Sequence, residues 1–366
     1  MKKYIHAFWH IKDTDYGKLE KINNCFHNFQ YAWEKAEPEE LQKAGLDKAF
    51  IEQILALRNK LDLPASLDRL WRADIVPVDQ CSPEFPEELK SIDAPPFLLY
   101  RKGADLDNLP NRIAIVGTRK STSGGEKLAF SLAGICSQNN LTVVSGLAFG
   151  IDASAHSGVL RQKGKTIGVL ASGIAQITPS SHYNLAEIIL ETGGSIISEY
   201  PVTSPAFKFR FLERNRIISG LCHTTVVVEA GKKSGALITA EHALNQHREI
   251  LAFPGDPGKT SSIGCNNLIK DGEAHLAGSI ADVLQFLADK GKIPRLPEQN
   301  RTAAACSLDL TDLRVVELLN REKQTTDQLQ LLGRLEWTEL MQSLSKLEIA
   351  GVVEKNAELK WQLLAD

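Results

Sequence analysis

The sequence predicts an α/β fold: a doubly wound, mostly parallel sheet, with a small N-terminal helical module and a C-terminal winged-helix-like module. Three observations predict it. From Asn111 onward six short β-branched runs recur, "RIAIVG", "LTVVSG", "TIGVLASG", "SIISEY", "HTTVVVEAG" and "EILAFPG". Segments of helical period separate most of them, and continuously apolar strands alternating with helices mark a parallel sheet covered on both faces. A chain of 366 residues, 43% of them apolar, has room for such a domain plus satellites, because single cores rarely grow past ~250–300 residues.

Residues 1–72 read as the helical module. In "FHNFQYAWEKAEPEELQKAGLDKAFIEQILALRNKLD" helical patterns alternate with short breaks, and "PEELQKAG" looks like a short helix closed by Gly45. Residues 73–295 hold the sheet domain. It opens with a Pro-rich bridge, "VPVDQCSPEFPEELKSIDAPPFLLYRKG", whose prolines argue against regular structure until the strand-like "FLLYRKG". A polar linker over 296–308 leads to a last module at 309–366. There "LTDLRVVELLN", "TTDQLQLL" and "LEWTELMQSLSKLEIAG" read as three helices, and "VVEK" and "LKWQL" as a hairpin, the composition of a winged helix.

Composition excludes several classes. The formal net charge of −3 predicts that any nucleic-acid site is a local patch and not a global field. Cys25, Cys81, Cys136, Cys222, Cys265 and Cys306 lie far apart without a CxxC pair, so they read as reduced thiols and not as a zinc site. His242 and His247 are five apart and do not share a helix face. "MKKYIHAFWHIKD" meets charge before any apolar run of leader length, and no stretch approaches the ~20 apolar residues that span a bilayer. A cytoplasmic protein with no metal is the expectation.

In a doubly wound sheet ligands bind outside the carboxyl ends of the strands. The first such loop, "GTRKSTSGG", lacks the GxGxxG of a dinucleotide site, since Arg119 stands where the second glycine would be. Its backbone N–H groups, its hydroxyls at Ser121, Thr122 and Ser123, and Arg119 suit a phosphate or a capped helix. In the second, "SGLAFGIDASAH", Gly146 and Gly150 permit close backbone approach, and Asp152 is a good N-cap with His156 on the same helix face. "FKFRFLERNRIISG" places four cations against one Glu between Lys208 and Arg216, interleaved with Phe207, Phe209 and Phe211. Cations contact phosphates and rings stack on unpaired bases, although the rings could equally be core. "SGALITA" opens a helix with an anion-friendly end, whereas "GDPGKT" fails the triphosphate-loop spacing because Phe253 stands where a glycine is required. The loops together look like a groove for a phosphodiester backbone.

The series "GTRKSTSGG", "SGLAFGIDASAH", "GVLASG", "ISEYP", "FLERNRIISGLC", "VVVEAGKKSGALITA", "AFPG" and "GCNNLIKDG" resembles the DNA-processing protein A (DprA/Smf) family over roughly residues 80–290. The resemblance implies an extended Rossmann-like domain, with a SAM- or helix-hairpin-helix-like module before it. It implies homodimers that bind and protect single-stranded DNA and help load the RecA recombinase in natural transformation, with no catalytic residues, no cofactor and no membrane partner. Carried onto this chain, it places Gly117, Thr118 and Arg119 on a phosphate, and Gly146, Ala148 and Phe149 where the backbone approaches. Arg214, Asn215 and Arg216 line the same groove, with Ser234 and Gly235 at a helix start. Lys208, Arg210, Phe211 and Lys232 join them on chemistry and position. Thr178-Pro179 stands where the family often has Tyr-Pro, and Gly-Thr-Arg where it often has Gly-Ser-Arg.

Residues 301–366 carry eight Lys/Arg against eleven Asp/Glu, a poor electrostatic partner for a polyanion, so this module is expected to serve protein contacts or regulation. The competing class is a nucleotide hydrolase of Rossmann-like type that cleaves nucleoside monophosphates. Its PGGxGTxxE-like loop has no counterpart in "VVVEAGKKSG" or "FPGDPGKT".

Overall fold

The computed structural model describes residues 1–294, 310–333, 335–349, 352–356 and 360–363; the expected linker at 296–308 and Cys306 lie outside them. The chain forms two compact units, Met1–Leu276 and Ala277–Asp366.

The first unit opens with six helices: α1 (Lys2–Phe8), α2 (Tyr16–Phe26), α3 (Phe29–Glu34), α4 (Pro38–Lys43), α5 (Lys48–Arg58) and α6 (Leu63–Arg72). Short polar side chains start them: Asp15, Asn28, Asp47 and Asp62 each accept a backbone N–H of the first turn. Gly45 takes φ +81° just past α4, the left-handed stop expected there. Next come β1 (Ile75–Asp79), α7 (Glu87–Lys90) and β2 (Leu98–Gly103). The alternating part follows as β3 (Arg112–Val116), α8 (Ser123–Gln138), β4 (Thr142–Ser145), α9 (Ile151–Arg161), β5 (Thr166–Leu170), α10 (Tyr183–Glu191) and β6 (Ser195–Ser198). It ends with α11 (Arg210–Gly220), β7 (Thr224–Val227), α12 (Gly235–Asn245), β8 (Glu249–Ala252), α13 (Ile263–Lys270) and β9 (His275–Leu276).

The nine strands form one sheet in the order β1-β2-β6-β5-β4-β3-β7-β8-β9. All pairings from β6 to β9 are parallel, and β2 joins β6 and β1 antiparallel. All six expected parallel strands are present. β1 was not expected, because its Pro77 argued against a strand; it lies at the sheet edge, where a missing N–H costs no ladder bond. From β3 the chain winds outward through β4, β5 and β6, then returns to β3's other side with β7. The direction of winding reverses there, and that is where a crevice opens in such sheets.

Period-two alternation sends successive side chains of one strand into different cores. Leu98 and Tyr100 pack with the N-terminal helices, while Leu99 packs with Ile217, Ile218 and Ala240 on the other side. The N-terminal helices therefore share a core with the sheet, and a boundary at residue 72 separates no independent core. Glycine permits the close packing of α8 on α9: a Cβ on Gly158 would lie 2.1 Å from the Phe130 carbonyl.

The second unit holds α14 (Ile280–Asp289), α15 (Leu310–Arg321), α16 (Thr326–Gly333), α17 (Trp337–Ile349), and the antiparallel pair β10 (Val353–Lys355) and β11 (Trp361–Leu363). Val315, Leu319, Leu329, Leu340, Leu344, Val353 and Trp361 make a core of its own. Its last three helices and strand pair follow the order expected from sequence.

His156 of α9 is fully buried. The Thr166 hydroxyl donates to the Val143 carbonyl at 2.6 Å, so His156 Nδ1–H donates to that hydroxyl at 2.9 Å, and Nε2 has no partner among the described residues. Burial first, then the charges of His182 and Arg214, push the imidazole pKa down to about 3. An unfolded histidine takes up its proton near pH ~6.5. Between those values the unfolded state binds more protons, so the stability this residue confers is full above pH ~6.5 and is lost as pH falls. Urea midpoints measured from about pH 7.5 to about pH 4.5 are expected to fall, and to fall less steeply in His156→Gln; equal slopes would refute this assignment.

Candidate nucleic-acid interface

A cleft of about 620 Å³ lies at the carboxyl ends of the strands beside the reversal point, and residues 116–120, Ala148, Asp152, parts of α11 and the start of α12 line it. The loop after β3 is clamped at both ends. A Cβ on Gly117 would sit 2.5 Å from Ile151 Cγ1 and 2.9 Å from the Glu229 carbonyl, so glycine alone lets this loop close on α9. Thr118 N–H donates to the Glu229 carbonyl at 2.8 Å, and the Thr122 N–H and hydroxyl both donate to Glu229 Oε2 at 3.0 Å. Thr122 also caps α8 by accepting from Gly125 N–H. Between the clamps Arg119 and Lys120 stand exposed, and the Arg119 guanidinium lies 4.3 Å over the Phe211 ring.

The loop after β4 is held from beneath. Asp152 accepts from Gly146 N–H at 3.1 Å and Ala148 N–H at 3.4 Å, while Arg214, buried on α11, donates to the carbonyls of Gly146 (2.9 Å) and Val169. Burial lowers the Arg214 pKa to about 10, with Asp152 working against that shift, so the guanidinium stays charged at neutral pH. Burial likewise raises the Asp152 carboxyl, opposed chiefly by Arg214. Asp152 is therefore not the expected N-cap. Gly150 occupies the cap, at φ +74°, where a Cβ would meet the Thr118 carbonyl at 2.5 Å, and the Asp152 carboxylate folds back to the loop. His156 bonds Thr166 and takes no part in a dyad with Asp152.

The structure brings Gly117, Thr118, Arg119, Ala148, Lys208, Phe211, Arg214, Asn215, Ser234 and Gly235 to one cleft. The Asn215 amide donates to the Gly235 carbonyl at 3.1 Å and Ser234 caps α12, so α11 and α12 are tied at its floor. Gly146 lies behind it, with a virtual Cβ 2.6 Å from Arg214 Nη2. Phe149 stands outside the cleft, 49% exposed and edge-on to His182 at 4.8 Å. Lys232 does not line the cleft, and its neighbour Lys233 does. Arg210 and Arg216 face away: Arg210 packs against Tyr200 and Phe207 at 4.5 and 4.8 Å, and Arg216 is ion-paired to Glu199 at 2.7 Å. Arg216 points about 200° around α11 from Arg214, whereas Arg210 starts the helix one turn before Arg214 and is held aside by the Tyr200 and Phe207 rings. Sequence reading missed Lys120 and Lys233, and gave Asp152 a structural part as a helix cap where it instead holds the loop's N–H groups; the pair "KK" at 232–233 was its only signal for Lys233. Five cations, Arg119, Lys120, Lys208, Arg214 and Lys233, thus line the cleft together with one carboxylate, Asp152.

Among the described residues no three His, Cys, Asp or Glu side chains gather to hold a metal ion, and no helix is long and apolar enough to cross a membrane. Arg214→Met is expected to cost about 3–5 kcal/mol of folding stability, since it leaves Asp152 without its buried counter-charge, whereas Arg119→Ala stays within about 0.5 kcal/mol. Urea denaturation of both variants checks this; equal losses would contradict it.

The family model for DNA recombination-mediator protein A matches residues 78–288. Protein Smf of Synechocystis sp. is 31% identical over 98% of both chains, and the DNA processing protein DprA of Bacillus subtilis is 36% identical over 70% of this chain and 89% of its own. The X-ray structure of DNA processing protein A from Streptococcus pneumoniae superposes with a TM-score of 0.65 at 30% identity, covering 78% of this chain and 97% of that one. A structure of DNA processing protein A from Helicobacter pylori, described for its single-stranded DNA binding mode, gives 0.53 at 25% identity over 59% and 96%. With a family model matched over residues 78–288, relatives alike over most of their length and a Rossmann-like sheet, this chain belongs to the DprA/Smf family of DNA recombination-mediator proteins.

Proposed function

We propose that the cleft binds single-stranded DNA, and that the protein acts without catalytic turnover or cofactor to protect an incoming strand and help load RecA during natural transformation, as a homodimer. The observation that carries this reading is that five cations and a single carboxylate line the cleft at the reversal point of the sheet. Such a field neutralises phosphates and releases their counterions. Arg119 stacked on Phe211 adds a planar surface for an unpaired base. A duplex, with a persistence length of ~150 bp, would touch only the rim of a recess that a flexible strand can enter. The Helicobacter pylori relative's single-stranded DNA binding supports the choice of ligand.

Fluorescence anisotropy with labelled oligothymidylate and a matched duplex, titrated over salt, tests it. The single strand is expected to bind more tightly, and Arg119→Ala and Lys233→Ala each to weaken binding and reduce the log–log salt slope by ~0.7 per lost phosphate contact. Slopes indifferent to both substitutions would remove the cleft from DNA binding. For the recombinase role, RecA's DNA-dependent ATPase on the strand is expected to start sooner with the wild-type chain than with the Arg119→Ala/Lys233→Ala double variant; equal lags would contradict it.

A further inference from the structure

The row of strand ends continues past the cleft. β3 pairs with β4 and β4 with β5, all parallel, so the loops after these strands lie side by side, and β5 is two strands, ~10 Å, from β3. The loop after β4 places Ala148 in the cleft wall and Phe149, the next residue, outside it. After β5 a single 3-10 turn, Ser180–His182, leads into α10 at Tyr183.

The aromatic side chains here are exposed and yet held in place. Phe149 is 49% exposed and Tyr183 55%. His182 Nδ1–H donates to the Leu147 carbonyl at 2.9 Å, which ties the turn to the loop, and the His182 ring meets the Phe149 ring at 4.8 Å, inclined by 69°. Leu147 itself is fully buried at φ +55°, and Asp152 accepts the N–H groups on either side of it. The loop is thus clamped from both sides in a form that leaves the Phe149 ring in water. A single exposed ring is ordinary; here two stand on a fixed surface continuous with a cationic cleft. Their exposed neighbours Ser180, Ser181 and Asn184 are polar, so the surface offers separate flat rings and not the contiguous apolar patch that a protein partner takes. Residues 146–151 and 175–184 contain no carboxylate, so neither segment repels a phosphate.

We propose that Phe149 and Tyr183 form a stacking platform that extends the cleft: a strand leaving the cleft past Ala148 lays unpaired bases on these rings, with its phosphates toward solvent. The proposal rests on the cleft's holding single-stranded DNA, and adds the side on which the strand leaves, along the strand ends toward β5. Every base has a flat face, so the platform lengthens the site without adding a sequence preference. Bases inside a duplex are already stacked on one another and offer these rings no face, so the platform also favours the single strand.

Fluorescence anisotropy of the full chain with end-labelled oligothymidylates of ~4 to ~16 nucleotides tests it. Phe149→Ala and Tyr183→Ala are each expected to match wild type on the shortest strands, which the cleft alone accommodates, and to bind the longest about tenfold more weakly. Phe149→Leu keeps apolar bulk without a flat face and is expected to behave as Phe149→Ala; wild-type affinity in this variant would overturn the stacking. On an abasic strand of the longest length, wild type and Phe149→Ala are expected to bind alike, and a loss there would overturn it equally. Arg119→Ala reads the cleft separately and is expected to weaken strands of every length. Wild-type binding of the longest strands by Phe149→Ala or Tyr183→Ala, beside a weakened Arg119→Ala, would overturn the platform and leave the cleft; an unaffected Arg119→Ala would overturn both.

Discussion

The cleft depends on one buried cation. Arg214 bonds the carbonyls of Gly146 and Val169, at the ends of β4 and β5, and its counter-charge Asp152 holds the N–H groups of the loop between β4 and α9. A guanidinium suits this position because it stays charged when buried and donates in several directions at once, which a lysine does less well. The loop can then keep Leu147 and Gly150 at positive φ, since their surroundings over-determine them. Arg214 is thus a positioning residue first, and its charge reaches the cleft from below.

The second clamp is Glu229, after β7, which ties down the loop after β3 through both backbone and side chain. With two strand-end loops fixed by buried groups, the exposed cations Arg119, Lys120, Lys208 and Lys233 are free to meet a ligand without carrying the fold. This division gives α11 two chemistries. Its cleft face presents a cation among small and apolar residues, and outside the cleft it carries Arg210 and Arg216 among aromatic rings and carboxylates. Both arginines there are drawn into packing or an ion pair.

Much of this was legible in sequence because the signals were periodic or punctuated. Six apolar runs separated by helical segments specified the parallel sheet, and glycines bracketing the loop "GLAFG" marked the close approach of backbone. What escaped was of another kind. Pro77 concealed β1 because a proline is compatible with a strand only at an edge, and edge position is a property of the whole sheet. Arg210 and Arg216 read as groove residues because a charge run shows no facing until its helix is known to start at Arg210. Asp152 read as a cap because its spacing fits one, whereas its partners are set by how the loop folds back. Lys120 and Lys233 carried no periodic signal at all.

The most direct test of the central claim, that the strand-end loops hold single-stranded DNA, is to map photo-cross-links from a 4-thiothymidine oligonucleotide to the full chain. Adducts are expected within residues 117–120, 208–215 and 233–239. Adducts confined to residues 310–363, with the cleft unmarked, would contradict the account.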